Sequence, residues 1–410
     1  MRPCEARSIV RAPANRTPAA NYAIKARTLV DDPVALAYRC LPYPCSGDII
    51  CHMDKVARRR RVRLSAGFAP QSAASVSSPA ALDIAEFRHF PIREPASGNL
   101  YSLLRVKTGS GLTGWGECAS VNSDDLKKLE AAWIGKPAHN YAAIDASTPA
   151  GGALDMALLD ILGKACHAPV YRVLGGPTRS KVRAYGSPSA ADFPIVTVAV
   201  PEPVSRNQGK AYQNQIRALV DAVPANSDFV LNGNGLLTAG DAVSVAVTLE
   251  SKHPFWFDEP CAHWNLETLR KISSESVVPL GFGRGIRDIG TFQALLREGL
   301  IDVVRPELAF FGITGVKRIA ALAETYYVAI APHHDRGPVG TAAAIHLAAS
   351  IPNFFIQHVP IPSAPEDRAM RAALCSPNPE VGHNGFLALP HGPGLGVTIN
   401  ESALEKYHAA

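Results

Sequence analysis

Nowhere in the 410 residues does an apolar run reach the roughly 18 positions that a membrane-spanning helix needs, so an integral membrane protein is not expected. Cysteine is scarce: eight in the whole chain do not make a disulfide scaffold. A basic surface is lacking once the net charge of +5 is divided along the chain. Residues 1–82 hold 13 Lys and Arg against 5 Asp and Glu, while the rest holds 28 against 31. The bulk of the chain is therefore slightly acidic, and nucleic-acid binding is not indicated. A dinucleotide fingerprint is missing too. No G-x-G-x-x-G follows an early strand, and the glycines at 281, 283 and 285 have the wrong spacing. What remains is ordinary globular composition, 47% hydrophobic and 19% charged.

Residues 1–82 differ from the rest of the chain. They hold 2 of the 32 glycines but 4 of the 8 cysteines (Cys4, Cys40, Cys45, Cys51), and they sustain neither helical nor strand periodicity. The cysteine spacing matches no zinc pattern, so unpaired thiols are expected there rather than a metal site. The segment reads as a basic, disordered leader. Four arginines at 58–61, then a short apolar stretch and a Ser/Ala-rich one, make a poor copy of a twin-arginine export signal counted from Met53. Cytoplasmic residence is the expectation, and periplasmic export through this segment is the alternative. A true start near Met53 would also account for the character of residues 1–52.

Regular structure is expected from about residue 83. Leu104 and Val106 alternate with Arg105 and Lys107, as in a half-buried strand. A turn at 108–111 and a second strand at 112–118 complete a hairpin. Leu154, Ala157, Leu158, Ile161, Leu162 and Ala165 then recur at helical spacing. Beyond Gly175-Gly176-Pro177, short apolar runs alternate with helical stretches. The runs fall at 182–185, 195–200, 229–231, 255–257, 278–282, 301–304, 328–331 and 354–356. One intervening helix shows Tyr212, Ile216, Leu219, Val220 and Val223 on a single face. Strand and helix in this alternation mean βαβ units and a parallel sheet. Eight such strands suit a closed barrel, with an open doubly wound sheet as the alternative.

In a barrel of this kind the active site lies where the strands end. Six consecutive runs end in polar or ionisable groups. They are Asn232, Asp258 with Glu259, Arg284, Arg305 with Glu307, His333 with His334 and Asp335, and Gln357 with His358.

Several motifs give a resemblance. LDMALLDILGK at 154–164 and PVYRVLGG at 169–176 resemble the entry to the barrel in the enolase superfamily. GLTGWGE at 111–117, Ala331-Pro332-His333 and GPGLG at 392–396 are similar to its mandelate racemase/muconate lactonizing enzyme branch, which includes sugar-acid dehydratases. The resemblance implies an α/β fold, a (β/α)7β TIM-like barrel with an N-terminal α+β capping domain completed by the C-terminal segment. The expected domains are the leader (1–82), the cap (83–176), the barrel (177–375) and the returning segment (376–410). It also implies Mg2+-assisted removal of a proton beside a substrate carboxylate. The ions concentrate positive charge on the enediolate while a Lys or His acts as base.

Mg2+ takes hard oxygen ligands, and the family supplies three carboxylates from the third, fourth and fifth strands. Here those places hold Asn232, Asp258 (with Glu259 beside it) and Arg284. An arginine keeps its charge and cannot ligate a cation. Either an ion is held weakly by Asp258, Glu259 and the Asn232 carbonyl, or Arg284 supplies the positive charge itself. The bland alternative is that Arg284 is a buried bridge to Asp258 or Glu259.

The base side follows the family more closely. His333 matches the seventh-strand base, and Glu307 takes the sixth-strand place of the carboxylate that orients it. His358, at the end of the eighth strand, would donate a hydrogen bond or act as general acid toward a leaving hydroxyl. No lysine stands in the second run, which disfavours two-base racemisation. The first reading is therefore a lyase that abstracts a proton alpha to the carboxylate of a small sugar acid, with loss of water. An isomerase or cycloisomerase of the same fold is the second, and a metal-poor, inactive binding protein is the third. The partner implied is a small carboxylic acid, with specificity from residues 93–99 and the segment after Gly186. A homo-oligomer is compatible with the family, and no residue fixes the assembly.

Overall fold

The computed structural model describes residues 82–144, 148–186, 192–204, 208–262 and 266–409. The four leader cysteines, the arginines at 58–61 and most of the segment after Gly186 lie outside these residues. A three-stranded antiparallel sheet comes first, β1 (Ile84–Arg93), β2 (Leu100–Thr108) and β3 (Thr113–Cys118), in that order. Gly111 closes the second turn with a left-handed φ of 88°, and its N–H donates to the Thr108 carbonyl at 2.9 Å.

Helices α1 (Ser123–Trp133), α2 (Pro149–Ala165) and the single-turn α3 (Val170–Val173) come next. Asn122 caps α1 and Thr148 caps α2, each side-chain oxygen accepting an amide of the first turn. Helix α2 is buried all round from 150 to 163. One side meets β3 and another meets the barrel helix at Leu308–Glu324. Glycine makes the strand contact possible. A Cβ at Gly114 would lie 2.0 Å from the Ala157 carbonyl oxygen, and one at Gly116 would lie 1.8 Å from that of Ala153. The two glycines of the 111–117 motif thus let β3 lie directly on α2.

The barrel strands are β4 (Lys181–Tyr185), β5 (Val196–Ala199), β6 (Phe229–Asn232), β7 (Phe257–Asp258), β8 (Leu280–Phe282), β9 (Val303–Val304), β10 (Ala329–Ile330) and β11 (Gln357–His358). Strands β5 to β10 form one parallel sheet in sequence order, and β11 pairs in parallel with β4. Two parallel bridges, Gly186 with Val196 and Ile330 with Phe354, close the ring. The closed barrel is therefore the observed form, and the open sheet is not. The eighth run joins the ladder on one side, where Phe354 bridges Ile330 and Phe355 N–H donates to the Ile330 carbonyl at 2.8 Å, and its continuation at 357–358 pairs with β4 on the other. That run fills the barrel floor, where Phe355 stacks on Phe255 with centroids 5.0 Å apart.

The helix α4 (Lys210–Asp221) buries Tyr212, Ile216 and Val220 and leaves Leu219 exposed. The residues four apart form the seam, and Leu219 sits beside it. Helices α5 (Ala239–Leu249), α6 (Leu266–Glu275) and α7 (Ile289–Glu298) follow β6, β7 and β8, and α8 (Leu308–Glu324), α9 (Pro338–Ala348) and α10 (Pro365–Leu374) follow the last three strands. The end of the chain returns to the first sheet. Arg93 N–H donates to the Tyr407 carbonyl at 3.1 Å, and Ala409 N–H donates to that of Pro91 at 2.8 Å.

Buried charge ties the cap to the barrel. Arg371 in α10 bridges Glu94 at the end of β1 and Glu380, at 2.6 and 2.8 Å. Glu117, closing the 111–117 motif, accepts the Gly337 and Val339 amides at 2.6 and 3.1 Å, where α9 begins. Replacing Glu117 by Ala leaves both amides buried without that partner, at a cost of about 1–3 kcal/mol. A denaturation midpoint equal to that of the wild type would contradict this anchoring.

Candidate active site at the strand ends

A cavity of about 600 Å3 opens above the carboxyl ends of the strands. Glu259, Arg284, Glu307, His333, Asp335 and Arg336 line it, with Ala119 and Pro149 from the cap side. His333 and Arg284 therefore face one compartment.

On the base side, Glu307 and His333 sit opposite each other on adjacent strand exits, joined by a parallel bridge. His333 Nδ1 makes a short hydrogen bond to Glu307 Oε2. Glu307 also caps α8, with Oε1 accepting the Ala309 amide at 3.3 Å. Both groups are buried. Burial lifts the Glu307 carboxyl above its ordinary value. Burial, and after it the Arg284 charge, holds His333 well below 6.5. At neutral pH the imidazole is thus uncharged. Its Nδ1–H donates to Glu307, which leaves the Nε2 lone pair as a base.

On the cationic side, Arg284 Nη2 donates to Asn232 Oδ1 at 2.8 Å. Its Nε lies 3.6 Å from Asp258 Oδ2 and 3.8 Å from Glu259 Oε1. Glu259 Oε1 instead accepts the backbone amides of Gly283 and Arg284, at 2.7 and 2.8 Å. Glu259 itself has φ 44°, a left-handed conformation that a non-glycine residue adopts at some strain. Burial, and then the neighbouring Asp258 charge, pushes its carboxyl up to about 7.

Asp258 is committed elsewhere. Its Oδ1 accepts Trp256 Nε1 at 2.9 Å and Arg305 Nε at 2.8 Å. Burial opposes its charge, but Arg305 and then Arg284 outweigh burial and hold its pKa below the usual value. Arg305 is 1% exposed and also donates to the Ala331 carbonyl and to the Tyr185 hydroxyl, at 2.6 and 3.0 Å. Its role is not evident from sequence. The available signal is a charged residue where the sixth run should be buried, with Asp258 two strands away as its partner.

The cavity thus collects Glu259, Arg284, Glu307 and His333. Among the described residues, Asn232 and Asp258 do not line it. Nor does His358, which stacks beside His333 with centroids 6.2 Å apart. His358 departs from its expected role as general acid. Its Nδ1–H donates to the His334 carbonyl at 3.1 Å, and burial lowers its pKa to about 4. A neutral ring with Nδ1 protonated offers only an acceptor at Nε2. His334 is a buried loop residue bonded to the Gly337 carbonyl, and Asp335 pairs with Arg336 at 3.0 Å.

As a cage for Mg2+ the strand-end residues do not fit. Octahedral oxygen ligation needs several lone pairs turned on one point. Here Asp258 Oδ1 faces Arg305 and Trp256, Glu259 Oε1 faces two amides, and Asn232 Oδ1 faces Arg284. A guanidinium occupies the middle. Among the described residues, Glu307, His333 and Asp335 bring ligand-type atoms within 4.8 Å of one another, but the first two are already bonded together.

A capped, closed (β/α) barrel with a histidine–carboxylate pair at its mouth defines a class of enzyme. Residues 189–403 match the family model described as enolase C-terminal domain-like. Residues 93–175 match that of the mandelate racemase/muconate lactonizing enzyme N-terminal domain. The chain belongs to the enolase superfamily, in its mandelate racemase/muconate lactonizing enzyme branch. The D-galactonate dehydratase of Xanthomonas campestris pv. campestris is 30% identical over 350 residues, 74% of this chain and 90% of that protein. The D-gluconate dehydratase of Thermoproteus tenax is 27% identical over 352 residues, 75% of this chain and 70% of that one. A mandelate racemase/muconate lactonizing enzyme from Jannaschia sp. CCS1 superposes with a TM-score of 0.71 at 25% identity, over 80% of this chain and 98% of that one. Among the described residues, no helix is long and apolar enough to cross a membrane.

Proposed function

We propose that the protein is a sugar-acid dehydratase, a carbon–oxygen lyase that removes the proton beside a carboxylate and releases water. One observation carries the assignment of roles: His333, oriented by Glu307, shares a cavity with the Arg284 guanidinium. Relatives bearing the names D-gluconate, D-galactonate and D-xylonate dehydratase support the substrate class.

The substrate carboxylate rests against Arg284, and His333 Nε2 takes the α-proton. The electron pair of the C–H bond moves onto the carboxylate as an enediolate, whose charge the guanidinium offsets. It then expels the β-hydroxyl. That group needs a proton to leave as water. The His333 imidazolium, whose depressed pKa makes it a strong acid, is the donor at hand, since His358 carries no proton on Nε2. Glu307 keeps the His333 ring in one tautomer throughout. A racemase is disfavoured because β5 has no lysine to act from the opposite face.

The test is a screen of D-gluconate, D-galactonate and D-xylonate for 2-keto-3-deoxy acid products, with and without Mg2+. Turnover of any one supports the reading. Binding without turnover moves it to a carboxylate-binding protein. The pH profile is a second check. The base must be neutral and its pKa lies well below 6.5, so His333 itself puts its limb of kcat/KM on the acid side, and a step near pH 7 reports the Glu259 carboxyl beside Arg284. Arg284→Gln removes a positive neighbour that depresses His333, so the acid limb moves to higher pH. An unmoved limb would remove that coupling.

A further inference from the structure

We propose that Arg284 is the resident cation of this site and that the site grips the carboxylate of a small hydroxy acid with no divalent metal. The inference rests on the proposal that the cavity takes such an acid, and it goes beyond that proposal in holding the acid without a divalent metal.

The first ground is geometric. Arg284 stands among the three residues whose strand positions would surround an ion, and its only side-chain hydrogen bond among the described residues is to the neutral Asn232. A simple buried bridge would have its nitrogens hydrogen-bonded to the carboxylates. Here the nearest carboxylate oxygens are 3.6 and 3.8 Å away. Among the described residues Arg284 makes only these two long ion pairs, and the hydrogen-bonded bridge belongs to a different arginine. Arg305 is 1% exposed and bonded to Asp258 at 2.8 Å.

The second ground is charge. Arg305 matches the Asp258 carboxylate, so that carboxylate is spent before Arg284 is counted. The Arg284 side chain is 20% exposed and lines the cavity. The two other arginines of the cavity wall are engaged. Arg287 lies 4.8 Å over the Phe310 ring and donates to the carbonyls of Arg284 and Ile286. Arg336 pairs with Asp335. Arg284 thus lines the cavity with Nη2 bonded to a neutral oxygen and Nε at long range from two acids, and guanidinium N–H groups of this kind take a carboxylate.

The third ground is what each neighbour does for the fork. Asn232 in place of an acid supplies an oxygen acceptor without a charge, which fixes the guanidinium without neutralising it. The Gly283 and Arg284 amides bind Glu259 Oε1, which turns that oxygen toward the backbone.

The experiment uses the full chain after dialysis against EDTA. Calorimetric titration with Mg2+ alone, and with Mn2+ alone, is expected to show no stoichiometric site. Tight, stoichiometric uptake of either by the wild type would overturn the proposal. The double substitution Asn232→Asp with Arg284→Glu restores two acids and removes the guanidinium. It is expected to gain a Mg2+ site, seen as heat and as a Mg2+-dependent rise in melting temperature that the wild type lacks. Where that variant does not fold, Arg284→Gln carries the test. Binding of D-gluconate and D-galactonate, followed by ligand-observed NMR, is expected to be unchanged by EDTA in the wild type. It is expected to weaken roughly 10- to 100-fold in Arg284→Gln. Binding that EDTA abolishes would also overturn the proposal. If neither acid binds with or without EDTA, the proposed grip falls together with the sugar-acid reading; if an acid binds but only with Mg2+ present, the grip alone falls and the sugar-acid reading stands.

Discussion

His333→Asn abolishes exchange of the substrate α-proton with solvent deuterium and lowers kcat by roughly 10^2- to 10^4-fold. Asparagine keeps a polar side chain of similar reach but has no lone pair of comparable basicity. The effect is confined to chemistry, because His333 is held by its backbone bridge to Glu307 as well as by its ring. NMR in D2O with whichever acid the screen identifies measures exchange directly. Exchange at the wild-type rate would take His333 out of the mechanism and leave only the architecture. Glu307→Gln is the companion variant. It preserves size but removes the charge that selects the tautomer, so it slows exchange less severely and leaves carboxylate affinity in place.

Arg305→Met destabilises the protein by about 3–5 kcal/mol, the cost of leaving one buried charge uncompensated. Asp258 is 2% exposed, and Arg305 gives it its shortest charged contact, at 2.8 Å. The same substitution strips the Tyr185 hydroxyl and the Ala331 carbonyl of a donor. Combining it with Asp258→Asn returns most of the loss, because the orphaned charge is then gone. A double-mutant cycle from chemical denaturation measures the coupling. Equal midpoints for the wild type and Arg305→Met would show that the pair adds nothing.

Much of the architecture is legible in the sequence because hydrophobic runs and turn glycines repeat along the chain. The glycines at 114 and 116 even specify which helix their strand touches. The eighth run is legible as well, since residues 354 and 355 pair with β10, and only its continuation to 357–358 against β4 lies beyond the apolar stretch. The His333–Glu307 contact is legible through one motif, Ala331-Pro332-His333, and one strand exit at Glu307. What sequence does not show is the division of labour between two arginines. Arg284 and Arg305 both leave a strand beside acidic positions, and only three-dimensional distance tells that one is sealed against Asp258 while the other meets the cavity. His358 misleads in a similar way. Its residue type permits acid or acceptor, and a backbone carbonyl 3.1 Å from Nδ1 decides between them.

Trp256 gives this arrangement an optical use. Its indole N–H binds Asp258 at 2.9 Å, and the Arg305 guanidinium lies 5.4 Å from its ring. Fluorescence from such a ring responds to nearby fields. An anion settling against Arg284 changes the field at Asp258, one contact from the chromophore. A change in tryptophan emission on adding the acid is therefore expected, and Trp256→Phe tests how much of it this one of the four tryptophans carries.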